Sequence, residues 1–169
     1  MLKRLRPCAQ MKRLDDISLT YLQEHGIRGL LIDVDNTLTE DNRLEVDSWA
    51  QQYLHKIQAA GIKVCLLSNN NSERVRPLTE QLGCKALAKA GKPSKNAYGK
   101  ALSLLGLNRK EAAAVGDQLF TDVLGANRAG VWSILVEPIS PKEIMIVRIK
   151  RPLEWLVCKW NHIEMSRTK

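Results

Sequence analysis

Five short apolar runs recur at strand length along the chain: residues 29 to 35 (GLLIDVD), 63 to 67 (KVCLL), 84 to 88 (CKALA), 112 to 115 (AAAV) and 131 to 136 (VWSILV). Between them, apolar positions fall at helical spacing over 46 to 60, 72 to 82, 94 to 105 and about 120 to 129. Asn71 or Ser72 is placed to cap the second of these helices, and Gly61, Gly83, Gly106 and Gly130 stand where chains leave helices. Strands that are apolar throughout, instead of alternating, suit a parallel sheet covered on both faces, and crossovers of this length supply the covering helices. The pattern predicts an α/β fold, a Rossmann-like three-layer sandwich with a mostly parallel sheet; an antiparallel arrangement is the less favoured reading.

In such a sheet the ligand site lies beyond the carboxyl ends of the strands. Polar clusters fall there: the first strand ends in DVDNT, the second in SNNN, GKPSK follows the third and GDQLFTD the fourth. Taken singly, Ser68 or Asn69 suits a turn or a helix cap, and Lys92 suits a solvated charge. Asp33 and Asp35 are different, because residues at i and i+2 of a strand point to one side and bring two like charges within reach of one cation. Asp117 and Asp122 add further carboxylates, and Gly116 allows close backbone approach where the fourth strand turns out of the sheet. Four carboxylates and a lysine at one edge predict a metal and phosphate site.

Composition adjusts this picture in three ways. The 169 residues and 44% hydrophobic content fit one domain, residues 1–169, and the net charge of +8 favours anionic partners without choosing among them. Cys8, Cys65, Cys84 and Cys158 are scattered and form no CxxC pair, and His25, His55 and His162 form no constellation, so neither a zinc site nor a disulfide framework is expected. No run of about 18 apolar residues could span a bilayer and the basic N-terminal stretch lacks a signal-peptide core. A cytoplasmic protein is expected, peripheral to the membrane at most.

The four clusters, in order, resemble the motifs of the haloacid dehalogenase-like phosphatases: Asp33-Val34-Asp35-Asn36-Thr37, Ser68-Asn69, Lys92-Pro93, and Gly116-Asp117 followed by Asp122. The resemblance implies that Asp33 is the nucleophile and Asp35 the general acid and base. It implies a Mg2+ ion held by the Asp33 carboxylate, the Asp35 backbone carbonyl and the Asp117 carboxylate, with Asp122 orienting from behind. Ser68, Asn69 and Lys92 are implied to bind the phosphoryl group; Lys89 and Lys95 stand near, but only Lys92 is followed by proline.

About 30 residues separate Thr37 from Ser68, and the Ser68 to Lys92 interval is shorter, so no large cap domain fits and the site is expected to be open. The strings IRGLLIDVDNTLT, GIKVCLLSNNNSERV, GKPSKNAYGKAL and AAAVGDQLFTDVLGANRAG resemble more closely the YqeG-type subgroup and its phosphatidylglycerophosphate phosphatase relatives. That likeness implies a phospholipid substrate, phosphatidylglycerophosphate, cleaved to phosphatidylglycerol and inorganic phosphate. Small sugar or glycolate-type phosphate esters are the enzymatic alternative. A basic nucleic-acid or protein-binding module with weak catalysis is the alternative of a different class, although no specific nucleic acid is expected.

Residues 140 to 169 form a basic amphipathic C-terminal segment, in which Ile149, Leu153, Leu156 and Trp160 repeat at helical intervals beside Lys150, Arg151 and Lys159. Such a stripe suits either closure of the domain core or peripheral contact with an anionic membrane. There is no dinucleotide fingerprint and no Walker loop. The pattern favours no particular oligomeric state.

Overall fold

The structure, a computed structural model, describes residues 2–140. The basic C-terminal stripe expected over residues 140–169 lies, from residue 141 on, outside the described residues.

Six strands form one sheet in the order β1-β6-β5-β2-β3-β4, and every pairing is parallel. They are β1 (Ala9–Met11), β2 (Gly29–Ile32), β3 (Lys63–Leu67), β4 (Lys85–Leu87), β5 (Ala112–Gly116) and β6 (Trp132–Val136). The helices are α1 (Leu19–Glu24), α2 (Ser48–Ala59), α3 (Ser72–Leu82), α4 (Lys95–Leu105) and α5 (Leu124–Ala129).

The sheet is buried on both faces, which is why its strands read as unbroken apolar runs. Leu30, Ile32, Val64, Leu66, Ala113 and Val115 pack with Leu54 and Ile57 of α2 and Val75 and Leu78 of α3. The alternate positions Leu31, Cys65, Leu67, Ala112 and Ala114 pack with Tyr98, Ala101 and Leu105 of α4 and Ala126 of α5. Each fully buried aliphatic side chain of this kind stabilises the fold by roughly 1.5–3 kcal/mol relative to exposure.

Local signals fix the helix ends. Asn71, not Ser72, caps α3: its side chain accepts from the Arg74 amide at 3.0 Å. At the other end Gly83 takes φ +57°, a left-handed conformation that glycine adopts without a Cβ penalty.

Five elements differ from the sequence reading. β2 ends at Ile32, so Asp35 lies outside the strand, and β4 keeps only three residues. The helix expected near 120–129 is two pieces, a π-helical turn Leu119–Val123 running into α5. β1 and α1 were not expected. Between β2 and β3 lies α2 with its preceding loop, and between β3 and β4 lies α3, so neither interval holds a large inserted cap. No helix among the described residues is long and apolar enough to cross a membrane.

Candidate active site

The site forms at the carboxyl ends of β2, β3 and β5, which are neighbours at the centre of the sheet. Asp33 follows β2 directly, and its amide still donates to the Val115 carbonyl at 2.9 Å, so β5 holds its backbone. Asp117 follows β5. Asp122 comes from the π-helical turn, whose extra residue per turn re-aims side chains. Each of these three carboxylates is buried, and one oxygen from each lies within 4.8 Å of the others.

Lys92 reaches into this cluster from the segment after β4. Its Nζ donates to Asp33 Oδ1 at 2.5 Å and to Asp122 Oδ1 at 2.7 Å, and its side chain is 4% exposed. Asp122 Oδ2 also accepts from the Gln118 amide and the Thr121 hydroxyl, each at 3.2 Å. Gly116 makes room for Asp122, since an added Cβ would meet the carboxylate. Tyr98 of α4 pins the turn from below: its hydroxyl donates to the Asp122 carbonyl at 3.0 Å and the Thr121 carbonyl at 3.3 Å.

Burial dominates the electrostatics. It pushes the Asp33 carboxyl up to about 7, with Lys92 pulling the other way and Asp122 adding to the rise. Burial alone would lower Lys92, but the Asp122 and Asp33 carboxylates outweigh it and hold the ammonium charged. Three carboxylates against one ammonium leave two net negative charges when all are ionised, a match for a divalent cation. The oxygen-only donor set suits a hard ion. The residues therefore fit a metal centre.

Ser68 follows β3, which lies beside β2 with Leu66 in register with Ile32. It is buried, its amide donates to the Leu87 carbonyl at 3.1 Å, and its hydroxyl accepts from the Asn70 amide at 3.1 Å. Asn69 clasps the lysine segment: its Oδ1 accepts from the Lys92 amide at 2.8 Å and its Nδ2 donates to the Lys92 carbonyl at 3.3 Å.

Asp35 takes a direction that the i, i+2 reading does not anticipate. With β2 finished at Ile32, the chain folds into a tight turn in which Leu38 N–H donates to the Val34 carbonyl and Asn36 holds φ +58°. The Asp35 carboxylate turns to Asn70 Nδ2 at 2.7 Å and Arg74 Nη2 at 3.1 Å, while Asp122 supplies the third carboxylate of the cluster. After β6 the chain passes over this turn, with the Ile139 amide donating to the Asn36 carbonyl at 3.0 Å.

Asp33, Lys92, Asp117 and Asp122 thus meet in one buried cluster, and Asp35 stands outside it on its own donors. Asn70 and Arg74 are the partners that sequence reasoning missed. The only written signals were the asparagine run after Ser68 and a lone arginine in the first turn of a helix. Tyr98 lies five positions beyond Pro93, within the string GKPSKNAYGKAL.

Comparison with known proteins agrees with this geometry. A family model described as haloacid dehalogenase-like hydrolase matches residues 50–130, and one described as mitochondrial PGP phosphatase matches residues 2–89. The probable phosphatase YqeG of Bacillus subtilis (strain 168) is 36% identical over 144 residues, spanning 85% of this chain and 84% of that protein. The chloroplastic/mitochondrial phosphatidylglycerophosphate phosphatase 1 of Arabidopsis thaliana is 28% identical over 163 residues, spanning 90% of this chain but 47% of that protein. The chain therefore covers about half the length of that relative. Among solved structures, the cobalt-bound deoxy-D-mannose-octulosonate 8-phosphate phosphatase of Haemophilus influenzae superposes with a TM-score of 0.52 at 19% identity. That match covers 80% of this chain and 89% of the other and shares the fold.

Proposed function

The chain belongs to the haloacid dehalogenase-like hydrolases, and from that membership we propose a magnesium-dependent phosphomonoesterase that converts phosphatidylglycerophosphate to phosphatidylglycerol through an aspartyl-phosphate on Asp33. The observation that carries the chemistry is the Lys92 ammonium shared between Asp33 and Asp122 inside a buried carboxylate cluster.

On this reading an Asp33 carboxylate oxygen attacks phosphorus in line. The new O–P bond forms as the ester P–O bond breaks, and the electron pair leaves on the alcohol oxygen. Asp35 gives that oxygen its proton. In the second step Asp35 takes a proton from the water that attacks the phosphoaspartate, which releases inorganic phosphate and regenerates both carboxyl groups. Ser68 and Lys92 hold the phosphoryl oxygens, and Asn69 fixes the backbone that carries Lys92. The carboxylates of Asp33 and Asp117 and the backbone carbonyl of Asp35 would hold magnesium, whose charge would offset the repulsion between an attacking anion and the phosphoryl group, and Asp122 would orient that centre.

Three observations support the lipid substrate. The family model over residues 2–89 and the Arabidopsis relative both carry phosphatidylglycerophosphate phosphatase descriptions. Neither interval of the chain holds a large inserted cap, which suits a phosphate projecting from a bulky body. The net charge of +8 suits an anionic surface, and residues 140–169 are the segment we assign to peripheral contact with it. Residues 1–169 then act as one capless domain.

The test is magnesium-dependent phosphate release from short-chain and membrane-embedded phosphatidylglycerophosphate beside small phosphate esters. Selective turnover of the lipid is expected. Turnover of small esters with none of the lipid would reject the substrate assignment.

A further inference from the structure

Asp35 is held by two donors that the chemistry of the buried cluster does not use. Asn70 Nδ2 sits on Oδ2 at 2.7 Å and Arg74 Nη2 on Oδ1 at 3.1 Å, so both carboxylate oxygens are engaged. Arg74 stands in the first turn of α3, where the Asn71 cap on its own amide fixes the point from which the side chain departs. That side chain is 10% exposed. Its Nε and Nη1, both buried, make no hydrogen bond among the described residues.

This is an under-used guanidinium. Arginine presents five N–H groups in a planar fork that matches a carboxylate or phosphate with two parallel bonds. Here it makes one contact to Asp35 at 3.1 Å, longer than the roughly 2.7–2.9 Å of a tight charge-assisted bond, and keeps two dry nitrogens without acceptors. Buried donors left in this condition are costly, and a role in binding is a common reason for tolerating them. Arg76 and Glu80, farther along α3, form an exposed pair, so the helix does not lack surface for a merely solvated arginine.

We propose that Arg74 is a specificity residue that reads a second anionic group on the alcohol side of the phosphate ester. The inference rests on the reading of Asp35 as the group beside the leaving oxygen, because Arg74 is the cation paired with Asp35. In phosphatidylglycerophosphate that second anion is the phosphodiester, one glycerol unit from the scissile phosphate. The two unmatched nitrogens are closed to water in the free protein. Recognition therefore requires the guanidinium to swing from Asp35 to the phosphodiester, and the same movement frees Asp35 to face the leaving oxygen.

The experiment compares the water-soluble deacylated head group, glycerophosphoglycerophosphate, with glycerol 3-phosphate, which keeps the scissile group and lacks the phosphodiester. Wild type, Arg74→Gln and Arg74→Lys are assayed on both, with thermal melts to establish folding; if the glutamine variant does not fold, the lysine variant carries the comparison. Arg74→Gln is expected to lower kcat/KM on the head group roughly 30-fold more than on glycerol 3-phosphate, with Lys restoring part of the difference. Calorimetric binding of glycerophosphoglycerol, the product alcohol, should weaken about tenfold in the same variant. Equal losses on both substrates with unchanged glycerophosphoglycerol binding would overturn the inference and reduce Arg74 to a positioning residue for Asp35. If the wild-type protein cleaves glycerol 3-phosphate but not the head group, the lipid substrate falls. The role of Arg74 falls with it only if glycerophosphoglycerol binding is also indifferent to the substitution, and an Arg74-dependent affinity supports it.

Discussion

A Cβ added to Gly116 would stand 2.3 Å from Cγ of Asp122 and 2.6 Å from its Oδ2. The bare backbone at the end of β5 is what allows the Asp122 carboxylate to lie against it and meet Lys92. Gly116→Ala must push that carboxylate away, and a displacement on the order of 1 Å in a group that orients a reacting centre costs on the order of 100-fold in rate. Phosphate release should fall by about that factor while circular dichroism stays native; near-normal turnover would show that Asp122 has no part in the chemistry.

Lys92→Met removes the one ammonium between Asp33 and Asp122. Breaking a buried ion pair from one side costs roughly 3–5 kcal/mol because the remaining charge is uncompensated. The variant should melt at lower temperature than wild type in EDTA and gain more from added magnesium, which replaces the lost charge. An equal magnesium-induced rise in Tm for both proteins would argue against metal binding at this cluster.

Metal-free stability should depend on pH through Asp33, whose carboxyl burial raises from the ordinary 3.8 to about 7. The folded state then holds the proton more tightly than the unfolded chain. The associated stabilisation is complete below about pH 4 and is lost as pH rises through about 7. Lys92, also raised, has its unfolded value near 10.5 and leaves that window untouched. In EDTA, Tm should therefore decline for wild type relative to Asp33→Asn between these limits. Parallel profiles would reject the assignment. The same variant should have no measurable turnover, and retained phosphate release would remove Asp33 as nucleophile.

Tyr98→Phe deletes one hydroxyl that donates to the carbonyls of Asp122 and Thr121. Loss of a buried hydrogen bond costs about 1–2 kcal/mol, which urea unfolding would read as a lower midpoint at unchanged slope. Activity should fall less than in Gly116→Ala, because the Asp122 carboxylate keeps its contacts to Lys92, Gln118 and Thr121. A larger loss of activity than in Gly116→Ala would place the hydroxyl in the reaction itself.

Much of this was legible from residue order. Runs such as KVCLL are unbroken because helices cover both faces of the sheet, so the pattern carried the architecture. The strand-end polar clusters carried Asp33, Lys92, Asp117 and Asp122 for the same reason, since parallel strands deliver their carboxyl ends to one edge. β1 was missed because Ala9–Met11 has three residues, none fully buried, and owes its form to pairing with β6. α1 was missed because its six residues bury only Leu22. The Asp35–Arg74 pair spans 39 positions and depends on where α3 lands, which no local spacing encodes. The turn at Asp35 was misjudged because a Val between two aspartates reads as continued strand, whereas the backbone has already left the sheet at Ile32.

The two strands that carry Asp33 and Asp117, β2 and β5, sit side by side with partners on their outer edges as well. Their amides are enclosed by hydrogen-bonded neighbours and by apolar layers above and below. Deuterium should enter these strands last, on the timescale of global unfolding, and enter the Asn36 to Asp47 loop and the asparagine run after Ser68 far sooner. Backbone adjustment to different esters must come from those faster-exchanging segments, while the Asp33 carboxylate keeps its place until the whole domain opens.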